Sequence, residues 1–159
     1  ERLDRAGALT KNTLLAHCTH LTADEMRTIT EAGTWVVHNP RSNMNNQVGY
    51  APIGHFGPNA ALGTDGIGAD MLEEMRFAFF KGRDGKAPAG ADRFIDMAAA
   101  NQRLASQLMG VKLGRVESGF EADLVVLDYD PPTPITSDNL IGHLLFGSGP
   151  TFVQRSSLR

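Results

Sequence analysis

A chain of 159 residues suffices for one domain, whereas a complete eight-unit (β/α) barrel needs roughly 250. With 42% hydrophobic residues, a formal charge of −3 and no basic stripe, it lacks the electrostatic footprint of a nucleic-acid or anionic-membrane binder. The single cysteine, Cys18, excludes an internal disulfide and a cysteine-rich zinc site, and the absence of a signal peptide or long apolar run makes the cytoplasm the expected location.

After a charged opening from Glu1 to Arg5, Thr13 to Ala16 reads as a short buried strand that delivers His17 to its end. Thr22-Ala23-Asp24-Glu25 spells a capping box, and Met26 and Ile29 share one face of the helix it starts. Gly33 suits the end of that helix. Thr34 to Val37, β-branched and aromatic, is the next strand, ending at His38. Asn39 to Pro58 is rich in Asn, Gly and Pro, which predicts an ordered loop without regular structure. Ala60 to Thr64 is the third strand, ending at Asp65. Asp70 with Glu73 caps a helix that carries Leu72, Met75 and Phe79 on one face, and Lys81 to Ala91 reads as a flexible connection. Phe94, Met97, Ala98, Leu104, Ala105 and Leu108 mark a longer amphipathic helix stopped by Gly110. Ala122 to Leu127 is a further strand, and Gln154 to Arg159 is a polar tail without pattern.

His17, His38 and Asp65 each follow a short apolar run, and each interval between them has room for one loop, one helix and one strand. A (β/α) barrel presents its chemistry at such strand ends. Taken singly, these residues have plainer readings. A histidine at a strand end is commonly structural, and Thr64-Asp65-Gly66 alone is a turn in which Asp65 bonds its own backbone and Gly66 supplies the positive φ. Cys18 reads as a packing residue, and His20, His55 and His143 as structural or exposed.

His17-Cys18 after an apolar strand, His38-Asn39-Pro40-x-Ser42-Asn43 and Gly63-Thr64-Asp65-Gly66, in that order, resemble the last three βα units of amidohydrolase-superfamily enzymes. The similar branch contains guanine and cytosine deaminases and triazine chlorohydrolases. Gly114 to Asp128 resembles that family's C-terminal return into a small β domain. Gly49-Tyr50-Ala51-Pro52, Asp70-Met71, Asp128 to Pro134 and His143 to Gly147 are similar to SsnA-type aminohydrolases.

The resemblance implies an α/β fold: part of a (β/α)8 TIM-like barrel over 1–113 and part of a small C-terminal β domain over 114–159. It implies that Asp65 is a catalytic residue and a metal ligand, and that His17 is the catalytic histidine that contacts the attacking water or the substrate. His38, Asn39, Ser42 and Asn43 are the implied substrate-side residues, with bracing of their loop as the plainer role. The family's His-x-His pair, its fifth-strand His and its proton-shuttling Glu have no counterpart in this sequence. The implied cofactor of the intact enzyme is one divalent metal, zinc first and Fe2+ second.

The implied function is that of the C-terminal segment of a metal-dependent hydrolase acting on non-peptide C–N bonds, by hydrolytic deamination of a heteroaromatic substrate. The alternatives are hydrolytic dechlorination of a triazine-type ring, or a catalytically silent remnant or partner subunit. The implied partners are a small-molecule substrate, N-terminal barrel units and further copies of a homo-oligomeric parent, with no nucleic acid and no membrane. The segment alone is expected to be inactive, and its Thr13 to Ala16 strand to present an unpaired edge beside Leu14 and Leu15.

Overall fold

The capping box at Thr22 closes in both directions. Thr22 Oγ1 accepts the Glu25 amide at 3.2 Å, and Glu25 Oε2 accepts the Thr22 amide at 3.0 Å. In the computed structural model, which describes residues 1–147 and 153–157, this box starts the second of six helices. The elements in chain order are α1 (Arg2–Arg5), β1 (Leu14–Ala16), α2 (Ala23–Glu31), β2 (Trp35–His38), α3 (Pro40–Asn45), a 3-10 turn (Ile53–His55), β3 (Ala60–Leu62), α4 (Met71–Asp84), α5 (Ala91–Met109), β4 (Leu124–Leu127), α6 (Leu140–Gly142), a π turn (His143–Gly147) and β5 (Val153–Ser157). Thr22→Ala is expected to cost about 1 kcal/mol, read as a lower urea midpoint with an unchanged slope.

β1, β2 and β3 form a parallel sheet in that order, with Leu15 opposite Val36 and Val37 opposite Ala61. Parallel neighbours need crossovers, which α2 supplies between β1 and β2, and α3 with the 3-10 turn between β2 and β3. Side chains alternate across the sheet. Val36, Ala60 and Leu62 join a core with Met26, Ile29, Met75, Phe94 and Met97, while Trp35 and Ala61 pack with Ala100 and Leu104 of α5. The stop of α5 at Gly110, with φ of +69°, and its apolar face through Leu104 follow the sequence reading, but Leu108, expected on that face, is 69% exposed because the last turn runs past the sheet.

Polar side chains of α5 tie it to the sheet. The Leu62 amide donates to Asn101 Oδ1 at 2.9 Å and Asn101 Nδ2 donates to the Leu62 carbonyl at 2.6 Å, so one side-chain amide takes both ladder groups of that residue. Trp35 Nε1 donates to Gln107 Oε1 at 3.1 Å, and Gln107 Nε2 donates to the Lys11 carbonyl at 2.9 Å. β1 is the opposite edge, and it is not the buried strand expected: Leu14 and Ala16 are exposed, because the strand pairs with β2 alone among the described residues.

Other boundaries shift for identifiable reasons. The Asn39 to Pro58 stretch holds regular structure after all, because Pro40 at the first helical position presets φ for α3. β3 ends at Leu62, short of Thr64, and β4 begins at Leu124, after the expected Ala122. α4 continues through Lys81 to Asp84, into the stretch expected to be a flexible connection. The tail is not patternless. Val153–Ser157 pairs antiparallel with β4, with Leu124 opposite Ser157 and an irregularity between Val126 and Leu127. Backbone partners on β4 make this a strand despite its polar sequence. Leu158 and Arg159 lie outside the described residues. Among the described residues no helix is long and apolar enough to cross a membrane.

Candidate active site at the strand ends

His17 follows β1 directly and Asp65 stands three residues past the end of β3. Both adopt left-handed backbone, with φ of 67° and 52°, as does Cys18 at 50°. Side-chain-bearing residues rarely occupy that region, and their surroundings must hold them there. The turn reading of Thr64-Asp65-Gly66 is corrected on this point: Asp65, not Gly66, takes the positive φ, and Asp65 Oδ1 accepts the Gly66 amide at 2.8 Å.

The surroundings come largely from the His38 to Asn43 segment. Ser42 Oγ donates to Asp65 Oδ2 at 2.6 Å. That bond, then the Gly66 amide, hold the Asp65 carboxyl below the usual carboxylate range. His17 Nδ1 lies 2.8 Å from Asn43 Oδ1, which assigns the ring hydrogen to Nδ1. Asn39 then bonds best with its nitrogen toward the Gly63 carbonyl at 3.1 Å and the His38 carbonyl at 3.3 Å. The reverse orientation sets that nitrogen 3.4 Å from a His17 Nδ1 that already donates to Asn43. Gly63 permits this closeness, since a Cβ there would stand 2.6 Å from the end of the Asn39 side-chain amide and 2.5 Å from Val37 Cγ1.

His17 Nε2 consequently faces Asp65 Oδ2 at 3.7 Å, beyond hydrogen-bond range. With its hydrogen on Nδ1, His17 presents Nε2 as an acceptor opposite the Asp65 carboxylate, and two such acceptors suit a cation or a donor from outside. Asp65 is thus fit to hold a metal ion, but the set is partial: among the described residues no three His, Cys, Asp or Glu side chains come together to hold one. A hollow of about 550 Å³ is lined by Leu15, Leu21, Ile29 and the N-terminal residues and takes in neither His17 nor Asp65.

All four implied substrate-side residues are buried, His38 at 1% exposure and Asn39, Ser42 and Asn43 at 4% or less. Ser42 and Asn43 reach Asp65 and His17 as described, and Asn39 bonds the Gly63 and His38 carbonyls. His38 packs edge-on against Phe56, and neither ring nitrogen has a partner among the described residues. Burial pushes its pKa down to about 4. Cys18 is a core residue whose thiol donates to the Leu15 carbonyl at 3.7 Å and is pushed up to about 11 by burial, the profile of an inert packing group. His20 and His55 are exposed, and His143 Nδ1 bonds the Tyr129 hydroxyl at 2.7 Å.

A family model described as the amidohydrolase family matches residues 1–152. The chain belongs to the amidohydrolase family. A 5-methylthioadenosine/S-adenosylhomocysteine deaminase from Haloarcula marismortui is 35% identical over 153 residues, covering 90% of this chain and 35% of the relative. A 5'-deoxyadenosine deaminase from Methanopyrus kandleri is 32% identical over 156 residues, covering 93% and 36%. The crystal structure of an adenosine deaminase from Xanthomonas campestris with bound zinc superposes with a TM-score of 0.78 at 26% identity, covering 99% of this chain and 38% of that one. The chain therefore spans about a third of the length of the curated relatives it matches.

Two residues of this amidohydrolase segment escaped the sequence reading. Arg41 is 8% exposed and Glu74 is fully buried; the Arg41 amide donates to Glu74 Oε1 at 3.0 Å and its Nε to Oε2 at 2.5 Å. Arg41 Nη1 also pairs with Glu73. A signal was present: Glu74, Ala78 and Gly82 recur at helical spacing and all three are buried, so a carboxylate on an apolar stripe called for a buried cation.

Proposed function

We propose that the chain is the C-terminal segment of a metal-dependent aminohydrolase, with residues 1–113 supplying the last three βα units of a (β/α)8 barrel and 114–159 part of a small β domain. Its reaction is hydrolytic deamination of a heteroaromatic amine, and the names of its relatives favour an adenine nucleoside or a close derivative. The observation that carries this reading is the pair of acceptors, His17 Nε2 and Asp65 Oδ2, facing each other from residues that follow two parallel strands.

A divalent ion, zinc in the Xanthomonas relative and with Fe2+ as the second candidate here, supplies the Lewis acidity that makes water a nucleophile near neutral pH. Asp65 would hold the ion and take a proton from the attacking water, with Ser42 and Gly66 keeping its carboxylate ionised and aimed. His17, its Nδ1 tied to Asn43, turns Nε2 toward the reacting atoms and orients the water as it adds to the amine-bearing ring carbon. The proton taken from the water passes to the leaving amino group, the carbon–nitrogen bond breaks, and ammonia leaves a ring carbon that now carries the water's oxygen. Asn39, Ser42 and Asn43 act as positioning residues, and the remaining metal ligands, the proton shuttle and most substrate contacts come from barrel units outside this segment.

The expected result is that the 159-residue chain alone binds zinc weakly and releases no ammonia, because one carboxylate and one imidazole fall short of the roughly three protein ligands a catalytic zinc needs. A full-length polypeptide carrying the segment is expected to hold metal after dialysis and to release ammonia from an adenine nucleoside. Metal-loaded full-length protein that deaminates no heteroaromatic amine would overturn the proposal. Chloride release from a chlorotriazine instead would establish the dechlorinating alternative.

A further inference from the structure

We propose that Arg41 is a positioning residue that locks the Asp65 loop in place. The inference rests on the reading of Asp65 as a site residue given above. Arg41 Nη2 donates to the Gly68 carbonyl at 2.6 Å and reaches the Asp70 carbonyl at 3.4 Å, so the guanidinium grips the loop shortly after Asp65. Its Nε and backbone amide grip Glu74, and its Nη1 grips Glu73, both in the first turn of α4. The two residues that follow Arg41 carry the site's bonds: Ser42 to Asp65, Asn43 to His17. Any slip of α3 against the loop would therefore disturb both site residues at once.

The chemistry favours geometry over stability as the role of this pair. A buried ion pair replaced by apolar side chains of similar volume is often neutral in stability, because desolvation of the charges offsets their attraction. What the apolar replacement cannot supply is the planar fork of donors that fixes several acceptors at set angles. Lysine, a single point charge on a flexible stem, does not supply it either.

The test uses the 159-residue chain and compares Arg41→Met/Glu74→Leu, which leaves no lone buried charge, with Arg41→Lys. Amide exchange is followed at Gly66, whose N–H is bound to Asp65, and across Ala23–Glu31 as an internal control, together with the Asp65 carboxyl carbon resonance at fixed pH. In the double variant, Gly66 exchange is expected to accelerate about tenfold or more, and the Asp65 resonance to move, while the control helix stays within about twofold. Arg41→Lys is expected to show the same loop-selective pattern, and it decides the matter if the double variant does not fold. Unchanged Gly66 exchange and an unmoved Asp65 resonance in a folded variant would overturn the proposal, as would equal acceleration of loop and control. Neither readout needs turnover, so its failure is separable from failure of the deaminase reading.

Discussion

In a full-length polypeptide carrying this segment, Asp65→Asn is expected to lose bound metal and turnover together, whereas His17→Asn keeps the metal and loses about 10²–10⁴-fold in kcat. The difference follows from charge and placement. Asparagine keeps the shape of Asp65 and its bond from Ser42 but removes the anionic oxygens a divalent ion requires, and Ser42 and Gly66 are arranged to stabilise the anion. His17 contributes a single aimed nitrogen, and its loss removes orientation of the water without removing the negative charge. Elemental analysis after dialysis, paired with ammonia release, checks both halves. A His17→Asn protein as empty of metal as Asp65→Asn would make His17 a ligand.

The stability of the chain is expected to fall steeply between pH 6.5 and pH 4 because of His38. In the folded protein its pKa is pushed down from the ordinary 6.5 to about 4, so between those values the unfolded chain binds the proton and the folded chain does not. Acid then favours unfolding. The contribution is complete above pH 6.5 and is lost as pH falls toward 4, on the order of 3 kcal/mol in all. His38→Phe, which keeps an aromatic ring against Phe56 and removes the titrating nitrogens, should flatten that part of the profile. Urea midpoints at several pH values for both proteins decide it. Carboxylates such as Asp65, whose lowered pKa makes its own contribution disappear only at more acidic pH, affect both proteins alike and cancel in the comparison. Equal pH dependence in the two would place the acid sensitivity elsewhere.

Local signals carried much of the architecture. The Thr22 box, the Asp70 cap and the αL stop at Gly110 are short-range devices, and each forms where the sequence puts it. His17 and Asp65 were legible because a short apolar run ending in a donor is itself a local pattern. The support around them was not. Ser42 to Asp65, Asn43 to His17 and Arg41 to Glu74 join residues far apart in the chain, and no periodicity encodes which polar side chain will meet which. The positive φ at Asp65 escaped because glycine next door is the cheaper choice locally, whereas aspartate is held there by its own bond from the Gly66 amide together with the distant one from Ser42. β5 was illegible because its partner strand, rather than its own composition, makes it a strand.

The amide of Asn101 on the Leu62 backbone has a consequence for which side of the sheet can take a further strand. A side chain that fills a ladder position ends the ladder, because it offers no further strand beyond itself. The β3 edge is thus filled at Leu62, while the β1 edge, with Leu14 46% exposed, has no partner strand beyond β2 among the described residues. An incoming strand is therefore expected to add to this sheet first along β1, the side on which the proposed barrel places its preceding unit.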